Sequence, residues 1–240
     1  MLVYFLTGMD ISSFARYPVK EGNGMAIVGL SGSPILNGNT DRMIKALLEQ
    51  CKKEHIFVNL STLRFDPCRA CAHLCAKTNL CPLDDDLKPY FEPILNSEAL
   101  VLGTPVHAGY ITGWMFSFVT RLWCFHHVKN LLKDKPILLV LTGLFKRSER
   151  VAVPRFVDLF KAWNRTVNVI GHIYYTSSTP PCFKCGMGNV CKVGGLWGMV
   201  GRDEEALRKF RLTRDMFKRW EDDSETVAEV AKYAKILAEL

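Results

Sequence analysis

Apolar residues in this chain fall into two kinds of spacing: short unbroken runs, and stripes recurring every three or four positions. Ala26-Ile27-Val28-Gly29-Leu30, Ala99-Leu100-Val101-Leu102-Gly103 and Pro136-Ile137-Leu138-Leu139-Val140-Leu141 are runs bounded by turn residues. Runs of that length describe strands buried on both faces of a parallel sheet. His55 to Leu60 and Val167 to Tyr175 predict two more strands. Helical stripes lie between. Met43, Leu47 and Leu48 follow the N-cap chemistry of Asn39-Thr40-Asp41. Leu87, Phe91 and Ile94 follow Asp84-Asp85-Asp86, acids suited to the positive end of a helix dipole. Met115, Phe118, Val119 and Leu122 predict a helix from about Thr112 to Val128, and another runs from Phe156 to Trp163. Val227, Val230, Ala234 and Leu237 predict a long C-terminal helix. Five strands alternating with helices predict an α/β fold, a doubly wound five-stranded parallel sheet with cysteine-rich loop insertions.

Residues 1–24 show no periodicity and end in Glu21-Gly22-Asn23-Gly24, so they read as an extension before a single domain at 25–240. A hydrophobic content of 48% with 23% charged residues excludes wholesale disorder. No apolar run reaches the roughly 18 residues of a membrane span, and Asp10 interrupts the short apolar start, which has no basic leader. The expectation is a cytoplasmic protein, where nine cysteines point to metal or redox use before disulfides. The net charge of +7 is spread along the chain, with concentrations at Lys146–Arg155 and Arg202–Arg219. It reads as a solvated surface ahead of a nucleic-acid site, and it suits an anionic cofactor or an acidic electron-transfer partner.

The turn after the first strand, Ser31-Gly32-Ser33-Pro34-Ile35-Leu36-Asn37-Gly38-Asn39-Thr40, has neither a P-loop lysine nor dinucleotide-fold glycine spacing. It opens small hydroxyl and amide residues onto a helix N-terminus, where backbone N–H groups and the dipole favour a phosphate. Taken alone it is equally a plain turn with an N-cap. Thr104-Pro105-Val106-His107-Ala108-Gly109-Tyr110, after the third strand, falls on the same ligand-bearing edge.

Gly-Ser-Pro followed by Gly-Asn-Thr, with Gly-Thr-Pro-Val one strand pair later, resembles the flavodoxin-like FMN reductases. The resemblance implies that Ser31, Ser33, Asn39 and Thr40 hold the FMN phosphate. It places Pro105, Val106, His107, Ala108 and Gly109 along the flavin ring, with Thr142 and Gly143 at its far edge. Ile35 stands where many relatives carry a basic residue, and His107 where an aromatic one is common.

Cys68, Cys71, Cys75 and Cys81 pack four thiols into one short segment. A zinc ribbon separates its cysteine pairs by a dozen or more residues, whereas a cubane presents four corners that one loop can wrap. A zinc-bound loop is the competing reading. The segment resembles the cysteine loop of the iron–sulfur flavoproteins, a branch of the same reductases, which implies a [4Fe–4S] cluster exchanging electrons with FMN. The middle gap is three residues where two is usual, so His73 or Leu74 is an insertion.

Cys182, Cys185 and Cys191 form a separate glycine-rich group. A second metal site (iron–sulfur or zinc, with Cys51, Cys124 or His172 as a fourth ligand), a redox-active pair and a reduced structural loop all remain open. Cys51 and Cys124 otherwise read as small buried hydrophobes, and His126 and His127 as helix surface or interface.

The resemblance implies a flavin-dependent oxidoreductase or electron carrier with no acid–base residue. It also implies NAD(P)H or a ferredoxin-like protein as redox partner, and a homodimer or homotetramer. Two alternatives stand beside it: a zinc-stabilised NAD(P)H-dependent FMN or quinone reductase, and a non-enzymatic metal-loop sensory or binding module.

Overall fold

The run from Ile27 is buried along its whole length, as a strand at the centre of a covered sheet requires. In a computed structural model, which describes residues 26–127, 129–163, 168–177 and 185–240, it forms β1 (Ile27–Ser31). The expected extension at 1–24 and Cys182 lie outside the described residues. In chain order follow α1 (Asn39–Gln50), β2 (His55–Asn59), α2 (Ala72–Thr78), α3 (Phe91–Asn96), β3 (Ala99–His107) and β4 (Tyr110–Ile111). Then come α4 (Gly113–Arg121), β5 (Pro136–Gly143), α5 (Glu149–Trp163), β6 (Asn168–Thr176), α6 (Gly195–Met199), α7 (Glu204–Lys209) and α8 (Ser224–Ala238). The sheet order is β2-β1-β3-β5-β6, all parallel, with β4 paired antiparallel to β3.

Period-two alternation divides the core. Leu100 and Leu102 of β3 and Ile137, Leu139 and Leu141 of β5 face α3, α4 and α5. Ala99, Val101, Leu138 and Val140 face α1 and α8, against Leu47, Leu48, Val230 and Leu237. Each such leucine contributes about 1.5–3 kcal/mol by leaving water. The switch in strand order between β1 and β3 opens the sheet's carboxyl edge there, where ligands of open α/β sheets bind.

The structure corrects several expectations. The sheet has six strands rather than five. β3 does not stop at Gly103 but runs to His107, and Ala108 and Gly109, at φ 51° and 81°, turn the chain back into β4. Two consecutive positive φ values match the right-handed twist of a tight hairpin. The helix expected over 112–128 ends at Arg121 and tightens into a 3₁₀ turn at Leu122–Phe125. The cysteine segment, expected as loop, contains α2. Asp84–Asp86 do not start a helix: a 3₁₀ turn at Lys88–Tyr90 precedes α3, although Leu87, Phe91 and Ile94 are buried as expected. α5 begins at Glu149, before the expected Phe156.

Candidate functional site

The loop after β1 is shaped from beneath. Asp41, in the first turn of α1, is buried and accepts from Ser31 Oγ at 2.5 Å, from the Asn37 N–H at 2.8 Å, and from Asn59 Nδ2 at 3.0 and 3.1 Å. Ser31 Oγ in turn accepts the Ser33 N–H, and Ser33 Oγ accepts the Ile35 N–H, each at 3.2 Å. Ser31, Ser33 and Thr40 are thus buried and bonded within the protein, Thr40 Oγ1 lying 2.9 Å from Thr142 Oγ1 at the end of β5. Asn39 turns aside: its Nδ2 donates to the Lys218 carbonyl, and its Oδ1 accepts from Arg42 and from the Trp220 N–H. The N-cap of α1 is Gly38, which offers no side-chain cap, so the first-turn N–H groups are left for an anion.

Thr112 locks the loop to α4. It caps that helix and donates from Oγ1 to the Gly32 carbonyl at 2.7 Å. A Cβ on Gly32 would stand 2.7 Å from that hydroxyl and 2.8 Å from Met115 Cβ, so only glycine fits. Pro105 and Val106 are half-buried on β3, and His107 and Ala108 are exposed. The Gly109 carbonyl accepts from Arg155, whose guanidinium lies over the Tyr110 ring at 4.1 Å. Thr142 and Gly143 are buried, Gly143 in close contact with Tyr174. Ile35, Leu36, Tyr110 and Phe145 leave exposed apolar surface on the three loops of this edge. Two buried atoms there have no partner: Thr176 Oγ1, opposite Gly143, and Nε1 of Trp220, whose backbone holds Asn39. Backbone donors, apolar rims and orphaned polar atoms fit a phosphorylated aromatic cofactor.

The four thiols Cys68, Cys71, Cys75 and Cys81 line one cavity of about 140 Å³ together with Arg121, Cys124 and His127. That space far exceeds the roughly 10–15 Å³ one water needs. Among the described residues no three His, Cys, Asp or Glu side chains are already gathered around one point as a metal's ligands are. His127 Nε2 lies 2.9 Å from Cys75 Sγ, and Arg121 Nε donates to Cys81 Sγ at 3.1 Å. Burial pushes the Cys75 thiol up, and the charges of Cys71, Cys81 and Cys68 push it further. Burial likewise raises Cys124, with Cys81 and Cys75 adding to it. These shifts favour the neutral thiols, and a cationic centre in the cavity would favour the thiolates instead. Four thiols around one cavity are a donor set that a multi-iron cluster or a zinc ion can use.

In the second group, Cys185 is exposed and accepts the Met187 N–H, and half-buried Cys191 accepts the Gly194 N–H at 3.2 Å. None of the three nominated fourth ligands is drawn to them. Cys51 sits in the α1–α8 core, Cys124 lines the first cavity, and His172 Nε2 bonds Glu149 Oε1 at 2.9 Å. Cys124, named as a fourth ligand for the other cysteine group, and His127, read as helix surface, line this cavity, whereas Asn59 and Arg121 carried no motif that would single them out.

A family model described as NADPH-dependent FMN reductase matches residues 25–179. An iron–sulfur flavoprotein of Methanocaldococcus jannaschii is 28% identical over 100 residues, covering 40% of this chain and 51% of that protein. One of Methanosarcina thermophila is 33% identical over 114 residues, covering 46% and 59%. One of Archaeoglobus fulgidus is 29% identical over 144 residues, covering 58% and 64%. The chain thus matches about half to two thirds of the length of these relatives. A solved NADH:FMN oxidoreductase in its apo form superposes with TM-score 0.52 at 14% identity, covering 90% of this chain and 89% of that one. An azoreductase from Bacillus anthracis gives TM-score 0.52 at 10% identity, covering 90% and 100%. At these identities the likeness is one of fold. Among the described residues no helix is long and apolar enough to cross a membrane.

Proposed function

The chain belongs to the NADPH-dependent FMN reductase family, and from that premise we propose that it is a flavin-dependent oxidoreductase in which FMN exchanges electrons with a [4Fe–4S] cluster held by Cys68, Cys71, Cys75 and Cys81. The observation that carries this reading is the single cavity shared by those four thiols. The names of the archaeal relatives support it. When bound, FMN supplies two-electron chemistry and the cluster one-electron transfer.

The chain's own residues bind and orient. The N–H groups at the start of α1 take the FMN phosphate, held in place by Asp41 from below. Ile35, Leu36, Tyr110 and Phe145 shield the ring, with the Pro105–Gly109 hairpin and Thr142-Gly143 at its edges. Electrons enter from NAD(P)H or a ferredoxin-like protein. Trp114 and Phe116 leave apolar surface on α4 that a second copy of the chain would cover, in keeping with a homodimer or homotetramer.

Anaerobically purified protein should show flavin bands, with iron and acid-labile sulfide in equal amounts. Cys68→Ser with Cys81→Ser should remove the iron and leave FMN bound. Flavin with zinc and no iron would overturn the cluster reading. Equal loss of flavin and iron in the double variant would overturn the separation of the two sites. Metal beyond one cluster's complement would belong to the second group, at Cys185 and Cys191 with Cys182.

A further inference from the structure

Arg121, the last residue of α4, is almost wholly buried, a rare position for a guanidinium unless it is paired. Its bonds do more than neutralise one acid. Nε donates to Cys81 Sγ at 3.1 Å. Nη1 donates to the Asp66 carbonyl at 2.9 Å and to Asp85 Oδ2 at 2.6 Å, and Nη2 reaches Asp85 Oδ1 at 3.3 Å. The guanidinium carbon also stands over the Phe91 ring at 5.5 Å. One rigid group therefore touches the chain two residues before the first cysteine, the last cysteine itself, and Asp85 four residues beyond it. Beside it, Thr120 Oγ1 accepts the Cys68 N–H at 3.2 Å, so the C-terminal end of α4 grips both ends of the thiol segment.

A plain structural ion pair with Asp85 would not need an N–H aimed at sulfur. The planar fork makes both contacts at once, which the point charge of a lysine does not reproduce.

We propose that Arg121 is the positioning residue of the thiol cavity: it closes the four-cysteine segment and sets a fixed positive charge against Cys81, raising the reduction potential of the cluster held there. The inference rests on the cluster reading above. Reduction adds one negative charge to the cluster, and a nearby cation with an N–H directed at a ligand sulfur stabilises that charge. Asp85 acts in the opposite sense, because its carboxylate offsets part of the guanidinium's field.

The two residues therefore predict shifts of opposite sign. Arg121→Gln, Arg121→Lys and Asp85→Asn are prepared in the full chain under anaerobic conditions. The cluster potential is read by redox titration with electron paramagnetic resonance, and iron and FMN are counted per chain. Arg121→Gln should lower the potential and Asp85→Asn should raise it. Arg121→Lys, which keeps the charge and loses the fork, should fall between Arg121→Gln and the wild type. FMN should stay bound throughout. If Arg121→Gln fails to fold, the Lys and Asn variants still decide the sign. A wild-type protein with a cluster whose potential is unmoved, or moves the same way in the Gln and Asn variants, overturns this inference alone. A wild-type protein with zinc and no iron overturns the cluster reading and this inference together.

Discussion

The Ser31 hydroxyl donates to Asp41 at 2.5 Å, donor and acceptor both buried, and this bond joins the end of the central strand to the first turn of the helix after it. Three further donors converge on or beside the pair: the N–H groups of Asn37 and Ser33, and the Asn59 amide. Asp41→Ala removes the acceptor of the buried Ser31 hydroxyl, at about 1–3 kcal/mol, while the Asn59 amide keeps its bond to the Ser33 carbonyl and the exposed Asn37 N–H can turn to water. Chemical denaturation should show a loss of about 1–3 kcal/mol, and the variant should release FMN on dilution, read as recovered flavin fluorescence. Asp41→Asn, which keeps one acceptor oxygen, should lose less. A stability within about 0.5 kcal/mol of wild type for Asp41→Ala would refute the role given to this carboxylate.

Gly32→Ala tests the lock between the loop and α4. The new methyl would meet Thr112 Oγ1 at 2.7 Å and the backbone nitrogen of Met115 at 3.2 Å, so the helix start must move. Overpacking of this kind costs about 1–3 kcal/mol, or a melting point lower by about 2–12 °C in a chain of this size. An unchanged melting point with full flavin occupancy would show that the loop and helix part freely.

Glu149 gives the fold an acid limb. Burial works to raise its pKa, but the hydrogen bonds from His172 and Lys146, the latter ion pair at 3.0 Å, outweigh that and hold it below its ordinary 4.5. A carboxyl group depressed in this way adds stability above the unfolded-state value, and that stability is lost as pH falls through the folded value. Glu149→Gln should therefore be less stable than wild type at pH 7, and the gap should narrow on acidification below about pH 4.5. Urea midpoints across that range check it; a gap independent of pH would remove Glu149 from the account.

Much of this was legible in apolar spacing, because burial on both sheet faces leaves uninterrupted runs such as Leu138-Leu139-Val140. The β3–β4 hairpin was not. Its turn is Ala108-Gly109 rather than Asn-Gly, and an alanine at φ 51° adopts αL at a cost of roughly 1–2 kcal/mol that no local pattern announces. Asp41 looked like cap chemistry, yet the cap is Gly38 and the carboxylate points under the loop toward β1 and β2. Arg121 was hidden for a related reason. A cation in the last turn of an amphipathic helix is ordinarily a solvated complement to the dipole, and only the fold of the thiol segment over it makes the position buried. Cys124 was read as a small buried hydrophobe, which it is, but the wall it belongs to is assembled from residues some fifty positions apart.

The helix α1 is tied to a segment far along the chain. Arg42 pairs with Glu221 at 2.6 Å, and Asn39 holds the backbone of residues 218–220, contacts spanning 179 positions or more. A ribosome adding about 5–20 residues per second takes roughly 10–35 s to cover that distance. During synthesis the start of α1 therefore waits, its amide and guanidinium facing water, after β1, β2 and β3 have already emerged. The first turn of α1 is thus fixed only after residues 218–221 have been made, later than the strands that flank it.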